Sequence, residues 1–197
     1  DGDVVARAEE SDAISIINGG SDEDHPTQAI ADIYTIHREL GGVDGIELAI
    51  MGRLEHRNVA ALLRGISLFR DIRVRLIPFS GQVSHEILSY CELNDVNISV
   101  HSDIEAVEGV DVVYLNGPRT VGHLKLMRSR NSFSLNIDKR FMSMLNPGTI
   151  IMDPTQRSGD FSIELEDARL AFYRQAENAL FSRMAILQYL IKDTATS

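Results

Sequence analysis

A chain of 197 residues with 44% apolar and 24% charged side chains has the balance of a folded globular protein. Its net charge of −10 speaks against a nucleic-acid surface, which needs Lys and Arg to neutralise phosphates, and a single cysteine, Cys91, excludes a disulfide framework or a cysteine-based zinc site within the chain. No apolar run approaches the roughly 20 residues of a membrane span and no signal peptide is visible, so no membrane is expected and the expected location is cytoplasmic.

The chain opens on Asp-Gly-Asp rather than Met, which suggests a fragment or a processed chain. Ala13 to Gly19 is a β-branched run ending in Gly-Gly and predicts a buried strand. Pro26 stands where a first helical turn tolerates proline, and Ala29, Ile30, Ile33, Ile36 and Leu40 recur at helical spacing up to Gly41-Gly42. There follow a strand (GIELAIMG, 45–52), a helix (NVAALLRGISLF, 58–69), a strand (IRVRLIPF, 72–79) and a helix (SHEILSYCEL, 84–93) that carries Cys91 as a core thiol. Next come a strand (NISV, 97–100), a helical turn (IEAVEG, 104–109), a strand (VDVVYLNG, 110–117), an irregular and helical region from Pro118 to Leu145, and a last strand (GTIIMDP, 148–154). A terminal helix, 176–191, presents Ala179, Leu180, Met184, Leu187 and Ile191; it either covers one sheet face or reaches a neighbouring domain. The alternation predicts an α/β fold, a doubly wound, mainly parallel sheet with helices on both faces.

Ligands of such sheets bind beyond the carboxyl ends of the strands. That rule selects the loops Gly19 to Gln28, Gly52 to Asn58, Asn116 to His123 and Asp153 to Asp160. In the first, His25 and Gln28 open a helix whose N-terminal N–H groups and partial positive charge suit an oxygen gaining charge; the alternative is a helix capped by Asp24 with a solvated His25. In the second, Arg53, His56 and Arg57 cluster before a helix and suit a carboxylate or phosphate, or form a solvated basic turn. The third presents Arg119 after Gly-Pro, and the fourth turns at Asp153-Pro154, exposing backbone carbonyls, with Arg157 able to pair with Asp153 or Asp160. The six His are scattered without metal-ligand spacing, and there is no GxSxG elbow, Walker motif or GxGxxG, so no metal is expected.

Taken together, the loops resemble aspartate carbamoyltransferase catalytic chains of the aspartate/ornithine carbamoyltransferase family. "NGGSDEDHPTQAIADIYTI" is similar to the family's N-G-x…HPTQ-x-L-x-D segment, and "IELAIMGRLEHRNVAALLRGISLF" to its strand–turn–helix. "HSDIEAVEGVDVVYL" matches its next strand, and "AFYRQAENALFSRMAILQYLI" its closing Y-x-Q-A-x-N segment. The resemblance runs from Ile14 to Ile191 and covers the C-terminal, amino-acid-binding domain; the carbamoyl-phosphate loop of the N-terminal domain has no counterpart here.

The resemblance implies transfer of a carbamoyl group from carbamoyl phosphate to the amine of aspartate or a related carboxylated acceptor, without a cofactor. His25 would bond the carbonyl oxygen, Gln28 the carbamoyl NH2, and Thr27 stands between them in the motif. Arg57 would grip the acceptor carboxylate, and Asn58 stands where the family has Thr. The family's carboxylate-binding Arg after the fourth strand is here Gly117, leaving Arg119 as the substitute. Its HPLPR loop is Asp153 to Arg157, with Thr155 and Gln156 as substrate-binding candidates, and Arg53 replaces a usual Asp. The implied organisation is 1–12 as remnant of a preceding domain or linker, 13–175 as the amino-acid-binding domain, and 176–197 as a helix packing on the absent carbamoyl-phosphate domain, within a trimer-based homo-oligomer. The departures support a second reading, a catalytically inactive homologue acting as scaffold or regulatory subunit.

Overall fold

The computed structural model describes residue 7 and residues 16–79, 83–117, 137, 139–154 and 166–194, with side chains to 191 in the last helix. In chain order the elements are α1 (Pro26–Leu40), β1 (Glu47–Gly52), α2 (Arg57–Ile66), β2 (Arg73–Pro78), α3 (His85–Leu93), β3 (Asn97–Val100), a 3-10 turn (Ile104–Val107), β4 (Val112–Asn116), α4 (Lys139–Met144), β5 (Ile150–Met152) and α5 (Phe172–Thr194). The five strands form one sheet in the order β3-β2-β1-β4-β5, every neighbour parallel.

β1 from Leu48 and β4 up to Leu115 are unbroken apolar runs because both of their faces are covered, whereas β2 carries Arg75, which bonds Glu47 of β1. Leu48, Ile50, Val74, Leu76, Val112, Tyr114 and Met152 point to one face and pack with Ile36 of α1, Leu62 of α2, and Ile87 and Cys91 of α3. The alternate residues Ala49, Met51, Ile77, Val113, Leu115 and Ile151 point to the other, against Val107, Phe141 and Met142. The period of two along each strand thus divides one sheet between two cores. α1 and α2 pack closely at Gly65, where an added Cβ would lie 2.5 Å from Ile33 Cδ1.

Three expectations are corrected. Residues 16–19 of the first expected strand, Ala13 to Gly19, are unpaired, and Ile16 and Ile17 are exposed; a β-branched run becomes a strand only beside a partner edge, and among the described residues it has none. The helix expected over 58–69 ends at Ile66, and the chain continues in i→i+3 bonds from Leu68 to Gly65 and from Phe69 to Ile66. The terminal helix begins at Phe172 instead of Ala176, and the side it turns to this domain is mostly polar: Gln175, Asn178 and Ser182 are buried beside Ala179, while Leu180, Met184, Leu187 and Ile191 are exposed. Among the described residues no helix is long and apolar enough to cross a membrane.

Candidate active site

The strand order reverses between β1 and β4, which opens a crevice at their carboxyl ends. Gly52 and Asn116 are register partners there. The Arg53 N–H donates to the Asn116 carbonyl at 2.9 Å, and the Asn116 side-chain amide donates to the Arg53 carbonyl. Gly52 has φ +116, and a Cβ on it would lie 2.3 Å from the Asn116 carbonyl oxygen, so only glycine admits this approach. The loops after β1 and β4 are therefore stitched backbone to backbone.

The loop before α1 joins them from the side. Arg57, at the start of α2, donates through Nη1 to the Ser21 carbonyl, and Arg64 pairs with Asp24 at 3.1 Å. His25 occupies the N-cap position of α1 ahead of Pro26, and no side chain caps the helix. Asp24 takes the N–H of His25 itself at 2.8 Å, so its carboxylate serves His25 and Arg64, not the first-turn amides. The half-buried His25 ring lies against Gly20, with Thr27 Oγ1 at 3.5 Å from Nδ1.

Behind His25 runs a buried polar network. Gln28 donates from Nε2 to Asp32 Oδ1 at 2.8 Å and accepts from Arg183 Nη2 at 3.2 Å. Asp32 is fully buried and accepts two further bonds, from Gln175 Nε2 at 2.7 Å and from the Tyr114 hydroxyl at 2.7 Å. Gln175 in turn accepts from the backbone N–H of Asp153 at 2.9 Å, which connects the loop after β5 to the start of α1. Burial pushes the Asp32 carboxyl up to about 6, opposed by the bonds from Gln175, Tyr114 and Gln28 and by the charge of Arg183. Burial, with Asp32 beside it, raises the Tyr114 hydroxyl well above its ordinary value.

In the second loop His56 is the N-cap of α2, its Nδ1 accepting from the Asn58 N–H at 3.3 Å, and Arg53 pairs with Glu55 at 3.3 Å. Arg57 Nε, Asn58 Oδ1 and Asn116 Oδ1 are buried with no hydrogen-bond partner among the described residues. Orphaned buried polar atoms are costly, and these three stand on the two loops that border the crevice. Together they are suited to a ligand offering both acceptors and donors, such as an amino acid.

Of the residues the sequence singles out, His25, Thr27, Gln28, Arg57 and Asn58 are brought to this one edge. Gly117 is buried there without a side chain, and Arg119, Thr155, Gln156 and Arg157 lie outside the described residues. Asp32, Gln175 and Arg183 lie in the segments that carry the resemblance and Asn116 opens one of the selected loops, but the sequence reading singled out none of them, nor Tyr114, as a site residue. The pair Gln28 and Asp32 at i,i+4 was the available signal, since a carboxylate on the buried face of an amphipathic helix needs partners. No group of three or more His, Cys, Asp or Glu among the described residues is placed to hold a metal ion.

Comparison with known proteins places these features in context. Residues 44–190 match the family described as aspartate/ornithine carbamoyltransferase, Asp/Orn binding domain. Over 186 residues the chain is 33% identical to the chloroplastic aspartate carbamoyltransferase of Arabidopsis thaliana, covering 90% of this chain and 47% of that protein. Over 191 residues it is 32% identical to the aspartate carbamoyltransferase catalytic subunit of Methanococcus vannielii, covering 93% and 61%. The crystal structure of Trypanosoma cruzi aspartate transcarbamoylase in complex with carbamoyl phosphate and aspartate superposes with a TM-score of 0.80 at 30% identity, covering 94% of this chain and 61% of that one. The chain thus spans about half to three fifths of the length of these relatives.

Proposed function

The chain belongs to the aspartate/ornithine carbamoyltransferase family, and from that membership we propose that it supplies the amino-acid-binding half of a carbamoyltransferase acting on carbamoyl phosphate and aspartate. The acceptor amine attacks the carbonyl carbon, a C–N bond forms, the C–O bond to phosphate breaks, and the amine's proton leaves with the phosphate. In this reading His25 donates to the carbonyl oxygen as it gains charge, Gln28 with Thr27 beside it orients the carbamoyl group, and Arg57 with Asn58 holds the acceptor. The observation that carries the reading is the Arg57 guanidinium, fixed by the Ser21 carbonyl next to His25 with its Nε still unpartnered among the described residues. Arg119, Thr155 and Gln156 are proposed to complete acceptor binding from the loops after β4 and β5.

The organisation expected from the resemblance remains part of the proposal: 13–175 as the acceptor domain, and α5 as the bridge to a carbamoyl-phosphate domain in a trimer-based assembly. The exposed stripe Leu180, Met184, Leu187 and Ile191 supports that bridge. Gly117 favours the second reading, an inactive scaffold or regulatory subunit, because it puts no cation where the acceptor's second carboxylate is expected. Phosphate release by the full-length protein, given carbamoyl phosphate and a panel of amino acids, decides between them. Release with aspartate supports the enzyme; no release with any acceptor supports the scaffold. His25→Ala is expected to lower kcat by roughly 10²-fold or more, and an unchanged rate would reject its role.

A further inference from the structure

Asp32 does not line the crevice, yet its two oxygens take three donors from three elements, Gln28 on α1, Tyr114 on β4 and Gln175 on α5. A carboxylate only accepts, whereas a glutamine amide has one donating and one accepting end. Both glutamines must therefore turn Nε2 toward Asp32 and Oε1 away from it. The outward oxygens then meet donors: Arg183 for Gln28, and the Asp153 backbone N–H for Gln175. Turning either amide over would set its NH2 against a cation or another N–H. The orientation imposed at Asp32 is thus passed to both ends of the site, to the first turn of α1 and to the loop after β5.

We propose that Asp32 is a positioning residue, whose carboxylate fixes the amide orientations of Gln28 and Gln175 and so holds the start of α1 and the Asp153 backbone just after β5 in one arrangement. The proposal rests on the reading above only in taking these two segments as parts of the site. The charged and titratable groups facing Asp32 are Arg183 from α5 and Tyr114 from β4, and Asp153, just after β5, acts in turn on Tyr114. Because burial brings the Asp32 carboxyl to about 6, its proton is exchanged within an accessible pH range. A protonated Asp32 has one donor and loses one acceptor, so one of its three partners must turn or let go.

The test uses the full-length protein with ¹⁵N-labelled glutamine. The side-chain amide resonances of Gln28 and Gln175 are expected to shift together with a midpoint near 6 in the wild type and to stay flat in Asp32→Asn. Tyr114→Phe, which removes one donor and touches neither glutamine, is expected to move the midpoint upward; it serves also where Asp32→Asn fails to fold. In the transfer assay Asp32→Asn is expected to lower kcat by roughly 10- to 100-fold, to leave the acceptor KM within about threefold, and to lose the acid limb expected of the wild type. Glutamine resonances that ignore pH in the wild type would overturn the proposal, as would Asp32→Asn with wild-type kcat and an intact acid limb. A wild type that transfers no carbamoyl group defeats the functional reading alone, and the resonance measurement then decides the role of Asp32.

Discussion

Asp32 holds a carboxylate out of water with hydrogen bonds and, among the described residues, no direct ion pair, an arrangement whose cost depends on its proton. Its folded value, about 6, lies above the ordinary carboxylate value of 3.8, so between the two the folded state binds more protons than the unfolded one. Stability from this group therefore rises as pH falls through 6 and is lost as pH climbs back. Relative to Asp32→Asn, the wild type is expected to gain roughly 1–1.5 kcal/mol of unfolding free energy between pH 7.5 and pH 5. Urea titrations of both proteins at the two pH values measure it, and a constant difference would refute it. Gly52 is constrained more simply. Gly52→Ala has to open the contact with Asn116 or strain a backbone at φ +116. It is expected to cost roughly 3 kcal/mol or more, by analogy with overpacking plus backbone strain, read as a lower denaturant midpoint. The Gly ending the strand was plain in the sequence; its need for that conformation was not, because the clash is with a carbonyl 64 residues away in the chain.

At the scale of elements, periodicity located the helices and strands well and their partners poorly. The run Leu48 to Met51 reads as a buried strand because both faces are covered, and Ala29 to Leu40 reads as an amphipathic helix. The α1–α5 seam did not show, because it is polar. Arg174 pairs with Glu39 through two bonds at 2.8 and 2.9 Å, Asn178 bonds Thr35 and Arg38, Gln175 bonds Asp32, and Arg183 bonds Gln28. Apolar spacing leaves open whether Leu180 and Met184 cover the sheet or face outward, and the structure turns them outward. Asn178 is the most exacting member of the seam, being buried between a donor and a hydroxyl. Asn178→Ala is expected to cost about 1–3 kcal/mol and to raise hydrogen exchange along α5 before the sheet is affected. Uniform exchange across α5 and β1 would show that the seam is not a separate cooperative unit.

For the whole molecule, the doubly wound topology determined where chemistry could sit before any side chain was placed. The loops chosen by the carboxyl-edge rule are the ones the structure brings together, as far as it describes them: Ser21 to Arg57, Arg53 to Asn116, and Asp153 through Gln175 and Asp32 to Gln28. Missing from any such rule is what α5 does beyond this domain. Leu180, Met184, Leu187 and Ile191 follow one another at helical spacing with more than half of each side chain's surface in water, on a helix that buries Gln175, Asn178 and Ser182 against this domain. A monomeric domain gains nothing from that stripe, whereas the proposed bridge to a carbamoyl-phosphate domain would bury it. Met184→Glu and Leu187→Glu should therefore leave the secondary structure of this domain intact, since neither side chain enters its core. In the full-length protein each is expected to remove roughly 1–2 kcal/mol of interdomain contact, measured as a lower first transition in calorimetry and a fall in carbamoyl transfer with wild-type far-UV dichroism. Transfer and calorimetry unchanged by both substitutions together would mean that α5 meets no other domain through this face.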